Sequence, residues 1–194
     1  MSSIIQHFQT LTQIPHCSKE ADKLLAFLVD FAKERDYTVE VDDIKNIFIS
    51  KGLPTLCLQA HYDMVCMGKA PVLETYIEDG WMRAKDSSLG ADNGMAIAMM
   101  MQLMDEGLDL EFLLTSDEEI GLIGANEVAF NLKSMYMLNL DSEDEAEVYI
   151  GCAGGADMVA FKEDSYVEGQ GSCYEVAVKG LKGEIGRASC RERV

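Results

Sequence analysis

The feature that most constrains this chain is a set of ionisable side chains that directly follow apolar segments. His61 and Asp63 come after the apolar run at 55–60, and an acidic Ser-Asp-Glu-Glu segment at 116–119 comes after the apolar run at 110–115. Continuous apolar runs of this length are typical of strands buried in a central sheet. Ligand sites of open α/β sheets collect at the carboxyl ends of such strands. The sequence therefore predicts an α/β domain with a polar site at one edge of its sheet.

The rest of the chain alternates predicted helices with predicted strands. Apolar residues recur at helical spacing over 19–35, and the Met- and Ala-rich segment 93–106 is apolar nearly all round, which predicts a buried helix. We expect a further helix over 121–131 and a loop or hairpin over 72–84. Additional strands are predicted at 38–41, 46–50, 134–140, 148–153, 157–162 and 172–178.

The charge and the cysteine content of the chain limit its possible compartments and partners. The formal net charge of −18 over 194 residues argues against nucleic acid or an anionic membrane as a partner. No apolar run reaches membrane-spanning length and the first residues lack the basic start of a secretory signal, so we expect a cytoplasmic protein. The six cysteines have no metal-finger spacing. The apolar runs around Cys57, Cys152 and Cys173 favour buried reduced thiols over disulfides.

The ionisable residues form a set that suits a metal centre. One imidazole and three spaced carboxylates occur at His61, Asp92, Glu119 and Asp141. Such a set suits a pair of Zn²⁺ ions, and the adjacent Glu118 suits a base that activates water. Asp63 lies two residues after His61, so on a strand the two side chains face the same way. Its carboxylate is therefore placed to hold the imidazole through the second ring nitrogen.

Each position also has a simpler explanation. A lone histidine after a strand is more often a core residue than a ligand. The acidic residues at 117–119 and 142–145 are also compatible with solvated surface turns. The recurrence of such residues at four successive strand or loop ends is what favours a shared centre.

These motifs resemble those of the co-catalytic zinc metallopeptidases, a family that includes aminoacylases, glutamate-type carboxypeptidases and dipeptidases. The matching segments are 61–63, 90–94, 115–121 and 139–143. Within the family, segments 61–65, 89–94 and 178–183 are most similar to those of bacterial aminoacyl-histidine dipeptidases. The resemblance implies a three-layer α/β catalytic domain with a mixed central sheet that uses two Zn²⁺ ions, or Co²⁺ or Mn²⁺ in their place, to hydrolyse dipeptides. It leaves a homodimer of the full-length protein open.

The same resemblance implies a role for each site residue. His61 and Asp141 are implied ligands of one zinc ion, and Glu119 of the other. Asp92 is implied to bridge the two ions, and Glu118 to act as the general base. Asp63 is implied to orient the imidazole.

The chain also departs from that family near its end. The family pattern requires a further histidine ligand from a C-terminal segment, and His7 and His16 match no ligand position. The eleven residues at 184–194 match a translated sequencing adapter at every position. We therefore expect a partial catalytic domain over 1–179, the start of a missing lid domain at 180–183 and an artefactual tail over 184–194. The full-length protein is expected to be active and this chain inactive.

Two other functions remain open from sequence. One is a deacylase or aminopeptidase of the same fold, because substrate choice in this family lies largely in the lid. The other is a non-catalytic acidic module around 141–147, which predicts binding of hard cations through oxygen ligands.

Overall fold

The computed structural model describes residues 3–142 and 147–151. The helices are α1 (Ser3–Leu11), α2 (Asp22–Lys33), α3 (Ala91–Asp105) and α4 (Ile123–Asn126). The strands are β1 (Thr38–Val41), β2 (Ile47–Ser50), β3 (Leu56–His61), β4 (Thr75–Glu78), β5 (Trp81–Ala84), β6 (Glu111–Thr115) and β7 (Tyr136–Asn139). The chain divides into two compact units, Met1–Glu143 and Asp144–Val194, and all of these elements belong to the first.

A five-stranded mixed sheet in the order β1-β2-β6-β3-β7 forms the centre of the first unit. β3 is parallel to both of its neighbours, with His61 opposite Thr115 of β6 and Gln59 opposite Asn139 of β7. β2 runs antiparallel to β6 and to β1. Because β6, β3 and β7 share one direction, their carboxyl ends meet at the same edge of the sheet.

Helices α1, α2 and α3 pack with one face of this sheet in a single apolar core. Alternate residues of three adjacent strands supply the sheet side of that core: Ile47, Ile49, Leu58, Ala60, Phe112 and Leu114. The α3 helix contributes Met100, Met101 and Met104, all buried. Methionine fills irregular gaps well because its side chain is flexible and unbranched. Helix α3 lies between α1 and the sheet, which explains why it is apolar nearly all round.

The helix predicted over 121–131 is wrong beyond its first turn. α4 spans only Ile123–Asn126, and the chain then continues without regular structure. Phe130 stacks on Phe48 with ring centroids 5.4 Å apart. Two backbone N–H groups from the following segment donate to the buried Glu111 carboxylate at 2.9 and 2.8 Å. Irregular backbone reaches both partners, so tertiary contacts override the local helical pattern.

Apart from α1, for which no helix was predicted, the remaining described helices and strands agree with the sequence predictions. β1 covers the predicted 38–41, and the β4-β5 hairpin lies within the predicted 72–84. The predicted α/β fold with a mixed central sheet is confirmed. Residues 148–151 form no strand, and the strands predicted at 157–162 and 172–178 lie outside the described residues.

The covalent and membrane predictions have separate outcomes. Cys57 is a buried free thiol, as predicted. Cys17 and Cys66 form a disulfide that the sequence analysis did not foresee. Within the described ranges, no helix combines the length and the apolar character that crossing a bilayer requires.

Candidate metal centre

The candidate centre lies where the carboxyl ends of β6, β3 and β7 meet. β3 ends at His61, and a 3₁₀ turn, Glu118–Ile120, begins three residues after the end of β6. Asp141 follows β7, where the N–H of Leu140 still bonds to Gln59 of β3 at 2.9 Å. Asp92 enters from the first turn of α3. Four separate segments of the chain therefore converge on the end of one strand.

The ionisable atoms of these segments lie close together. The His61 Nε2 atom is 3.1 Å from Asp92 Oδ1, and 4.0 Å from both Glu118 Oε2 and Asp141 Oδ1. Two sets of potential metal ligands include this imidazole. One set adds Glu118 and Glu119, and the other adds Asp92 and Asp141. Within each set the potential ligand atoms all lie within 4.8 Å of one another. The structure therefore brings together the four predicted ligands and the predicted base.

The protonation of His61 reflects the negative charge around it. Burial alone lowers the pKa of this imidazole, but hydrogen bonds with Asp63 and Asp92 and the charge of Asp141 outweigh burial and raise the pKa to about 10. In the metal-free protein a proton on His61 thus supplies positive charge to the cluster. Because a metal ligand must be the neutral imidazole, metal binding has to displace that proton.

Among the carboxylates of the cluster, Glu119 reflects the negative charge around it most clearly. Burial, together with the charges of Asp92, Glu118 and Asp63, raises the pKa of Glu119 to about 7 despite the opposing effect of His61. A carboxyl group that resists ionisation beside other carboxylates is expected where a bound cation would balance their charge. The donor set, one imidazole and several carboxylates, therefore fits a divalent metal ion.

Asp63 contacts both halves of the candidate centre. The His61 Nδ1–H donates to the Asp63 backbone carbonyl at 2.9 Å, while the Asp63 carboxylate lies 3.5 Å from the ring nitrogen. That carboxylate accepts the backbone N–H of Glu118 at 2.9 Å and that of Glu119 at 3.4 Å. The predicted contact between the Asp63 carboxylate and the imidazole is therefore the longer one: the hydrogen bond of 2.9 Å goes to the main-chain carbonyl, and the carboxylate mainly holds the 3₁₀ turn.

Two residues that support the site were not identified as such from the sequence. Asn46 is fully buried, where its Oδ1 accepts the N–H of Ser116 at 3.0 Å and its Nδ2 donates to the carbonyl of Gly124 at 2.9 Å. Ser18 donates to the Asp63 carboxylate at 2.7 Å. A polar residue at the head of a buried strand was the one signal for Asn46. Ser18 has no such signal because its partner lies 45 residues away.

The family of the chain follows from a comparison with known proteins. The sequence profile of peptidase family M28 matches residues 50–163, more than half of the chain. The chain belongs to peptidase family M28. The matched range contains the four predicted ligands, the predicted base and Asp63.

Individual relatives of this M28 chain include dipeptidases. It is 36% identical over 199 residues to the cytosol non-specific dipeptidase of Escherichia coli (strain K12), covering 91% of this chain and 41% of that protein. The aminoacylhistidine dipeptidase of Vibrio alginolyticus superposes with a TM-score of 0.70 at 36% identity, over 78% of this chain and 35% of that one. The predicted resemblance to this group is confirmed.

A more distant structure shares the fold. A tripeptidase from Staphylococcus aureus superposes with a TM-score of 0.65 at 21% identity, over 73% of this chain and 43% of that protein. This M28 chain therefore spans less than half the length of each of these relatives.

Proposed function

We propose that this chain forms the core of the active site of a metal-dependent dipeptidase with broad specificity that includes aminoacyl-histidine dipeptides. The observation that carries the proposal is the cluster of His61 with four carboxylates at the meeting point of three parallel strands. The similarity to two bacterial dipeptidases supports the substrate class. Because the chain spans 41% of one relative and 35% of the other, the activity is proposed for the full-length protein.

We assign the metal as a pair of Zn²⁺ ions, which Co²⁺ or Mn²⁺ can replace. In this assignment His61 and Asp141 would hold one ion, Glu119 would hold the other, and Asp92 would serve both. A bound pair supplies Lewis acidity and lowers the pKa of a coordinated water towards neutrality. The described residues contribute a single imidazole to this centre, so the full-length protein is expected to add a further ligand.

The protein's own groups supply the proton transfers. We assign Glu118 as the general base, because its side chain is only 14% exposed and its Oε2 lies 4.0 Å from the central His61 Nε2. A carboxylate in this position accepts a proton from the attacking water and returns it to the leaving amine. Asp63 keeps Glu118 in place by accepting its backbone N–H.

The decisive experiment is a metal and substrate analysis of the purified full-length protein. We expect about two zinc ions per chain and zinc-dependent hydrolysis of aminoacyl-histidine dipeptides that a chelator abolishes. Preferential hydrolysis of N-acyl amino acids would instead indicate a deacylase of the same fold. Binding of Ca²⁺ without preference for Zn²⁺, and without turnover, would favour the cation-binding module.

The proposed compartment is the cytoplasm, in line with the cytosolic relative from Escherichia coli. Cytoplasmic thiol systems keep cysteines reduced, so Cys17 and Cys66 should be free thiols in the cell. Alkylation of cells under anaerobic conditions, followed by mass spectrometry, tests this. A Cys17–Cys66 disulfide in freshly quenched cells would argue for an oxidising compartment.

A further inference from the structure

We propose that Ser18 is a positioning residue of the metal centre, which fixes the carboxylate that holds the turn bearing Glu118 and Glu119. The inference rests on the function proposed above, since it concerns the same centre. It starts from a hydrogen bond of 2.7 Å between the Ser18 hydroxyl and Asp63 Oδ2. That bond joins the loop between α1 and α2 to the segment that follows β3.

Asp63 transmits the effect of Ser18 to the metal centre. Its side chain is wholly buried, with 0% exposure, so its orientation depends on the protein groups around it. Oδ1 accepts the N–H of Glu118, and Oδ2 accepts both the Ser18 hydroxyl and the longer bond from Glu119. Without the hydroxyl, one oxygen of a buried carboxylate loses its shortest hydrogen bond. The carboxylate is then free to turn away from the backbone of the 3₁₀ turn.

The loop that carries Ser18 is itself held firmly against the segment after β3. The N–H of Met64 donates to the His16 carbonyl at 3.0 Å, and the N–H of Ser18 donates to the Met64 carbonyl at 3.3 Å. These contacts leave the serine hydroxyl little freedom to move away from Asp63.

The residue after Ser18 supports the other end of the same turn. The N–H of Lys19 donates to Asp117 Oδ1 at 2.6 Å, and Asp117 is the residue that immediately precedes the 3₁₀ turn. Two consecutive residues therefore bond to two aspartates, one on the strand side of the centre and one at the start of the turn. A loop that only connected two helices would not require this arrangement.

The test compares Ser18→Ala with Ser18→Thr in the full-length protein. Threonine keeps the hydroxyl, and alanine removes it. Ser87→Ala is the matched control, because the buried Ser87 hydroxyl has no hydrogen-bond partner among the residues that the structure describes. The first readout needs no metal: hydrogen exchange at the Glu118 and Glu119 amides in chelator-treated protein. We expect Ser18→Ala to speed this exchange by about 10-fold through easier local opening, while the threonine and control variants stay at the wild-type rate.

The second readout is zinc affinity, measured by competition with a chromophoric chelator. Loss of a residue that supports the metal ligands typically weakens metal affinity by about 10–100-fold. We expect Ser18→Ala to weaken zinc affinity by about 10-fold. In an Asp63→Ala background the Ser18 substitution should have no further effect, because the serine acts through that carboxylate.

The outcomes separate this inference from the proposed function. Unchanged amide exchange in Ser18→Ala, or an equal loss of zinc affinity with Asp63 already replaced, would overturn the positioning role. Failure of Ser18→Ala to fold while Ser18→Thr folds normally would also overturn it, since the hydroxyl would then serve the fold as a whole. If wild-type protein binds no zinc but the exchange shifts as expected, the proposed function fails and the positioning of the turn stands.

Discussion

At the scale of single residues, the two adjacent glutamates of the 3₁₀ turn have different proposed tasks. Replacing Glu118 by Gln in the full-length protein should lower kcat by several orders of magnitude and leave zinc content nearly unchanged, because the amide cannot accept a proton. The matched variant, Glu119→Gln, should lose zinc. Metal analysis alongside dipeptide hydrolysis checks both. Loss of zinc from the Glu118 variant alone would mean that the two roles are exchanged.

Asp63 should matter to metal binding without touching the metal. We expect Asp63→Asn to weaken zinc affinity or activity by about 10–100-fold, because the side chain that holds the 3₁₀ turn loses its charge. His61→Ala should empty one site more completely. Zinc titration of the three proteins measures the order of effects. If Asp63→Asn keeps the wild-type zinc affinity and turnover, Asp63 has no role in metal binding and serves only the structure at the end of the strand.

The raised pKa values give the metal-free protein a characteristic pH dependence. The pKa of His61 rises from 6.5 to about 10, despite its burial, because of its hydrogen bonds with Asp63 and Asp92. Its stabilising proton is therefore fully present below pH 6.5 and is lost as the pH rises through about 10. The pKa of Glu119 rises from 4.5 to about 7, chiefly because of burial. The free energy of unfolding therefore also falls as the pH rises from 4.5 to about 7.

Urea unfolding of chelator-treated protein should therefore show a falling free energy of unfolding between pH 6.5 and 10. His61→Asn should lose most of this slope. Calorimetry of zinc binding at pH 8, in buffers of different ionisation enthalpy, should show release of about one proton from His61. Zinc binding at pH 8 without proton release would contradict the protonated imidazole.

At the scale of elements, the loop after β6 is held by close packing against α4. A Cβ atom added to Gly124 would overlap the Asn46 side chain and lie 2.5 Å from the Ser116 carbonyl oxygen. Overpacking of this kind typically costs about 1–3 kcal/mol. Gly124→Ala should therefore lower the free energy of unfolding by that amount and weaken zinc binding, because Ser116 leads into the turn with Glu118.

The control for this substitution is Gly151→Ala, since a Cβ atom at Gly151 meets no described residue within 4 Å. Urea denaturation of both variants and zinc titration of each provide the comparison. Equal stability of the two proteins would show that the loop after β6 adjusts without cost.

At the scale of the whole molecule, the chain spans 41% of its Escherichia coli relative. The sequence contains three histidines, of which His61 alone belongs to the described cluster. We expect the 194-residue chain to bind zinc weakly and to lack dipeptidase activity, while a protein with the full length of its relatives is active.

Parallel dipeptidase assays of the two proteins, with and without chelator, test this expectation. Comparable zinc-dependent turnover in the shorter chain would refute it. Resequencing of the locus tests the origin of residues 184–194 separately. A genomic sequence that encodes the same residues and then a stop codon would refute the adapter interpretation.

The sequence alone determined the buried strands and the residues that follow them. A continuous apolar run such as 110–115 has few alternatives in an α/β chain, and the acidic residues after it belong to a motif whose spacing is local. For that reason β2, β3 and β6 and the identities of all the clustered residues were accessible before the fold was known. Family resemblance supplied the proposed division of roles among those residues.

Tertiary structure decided what depends on contacts between distant segments. The order β6-β3-β7 brings Glu118 and Asp141 to within 4.0 Å of His61, and no local pattern specifies that order. Phe130 lies in irregular backbone instead of the predicted helix, and there it stacks on Phe48 of β2. The hydrogen bond from Ser18 to Asp63 joins residues 45 positions apart. Such contacts exist only after the chain has folded, because each depends on packing that other parts of the chain provide.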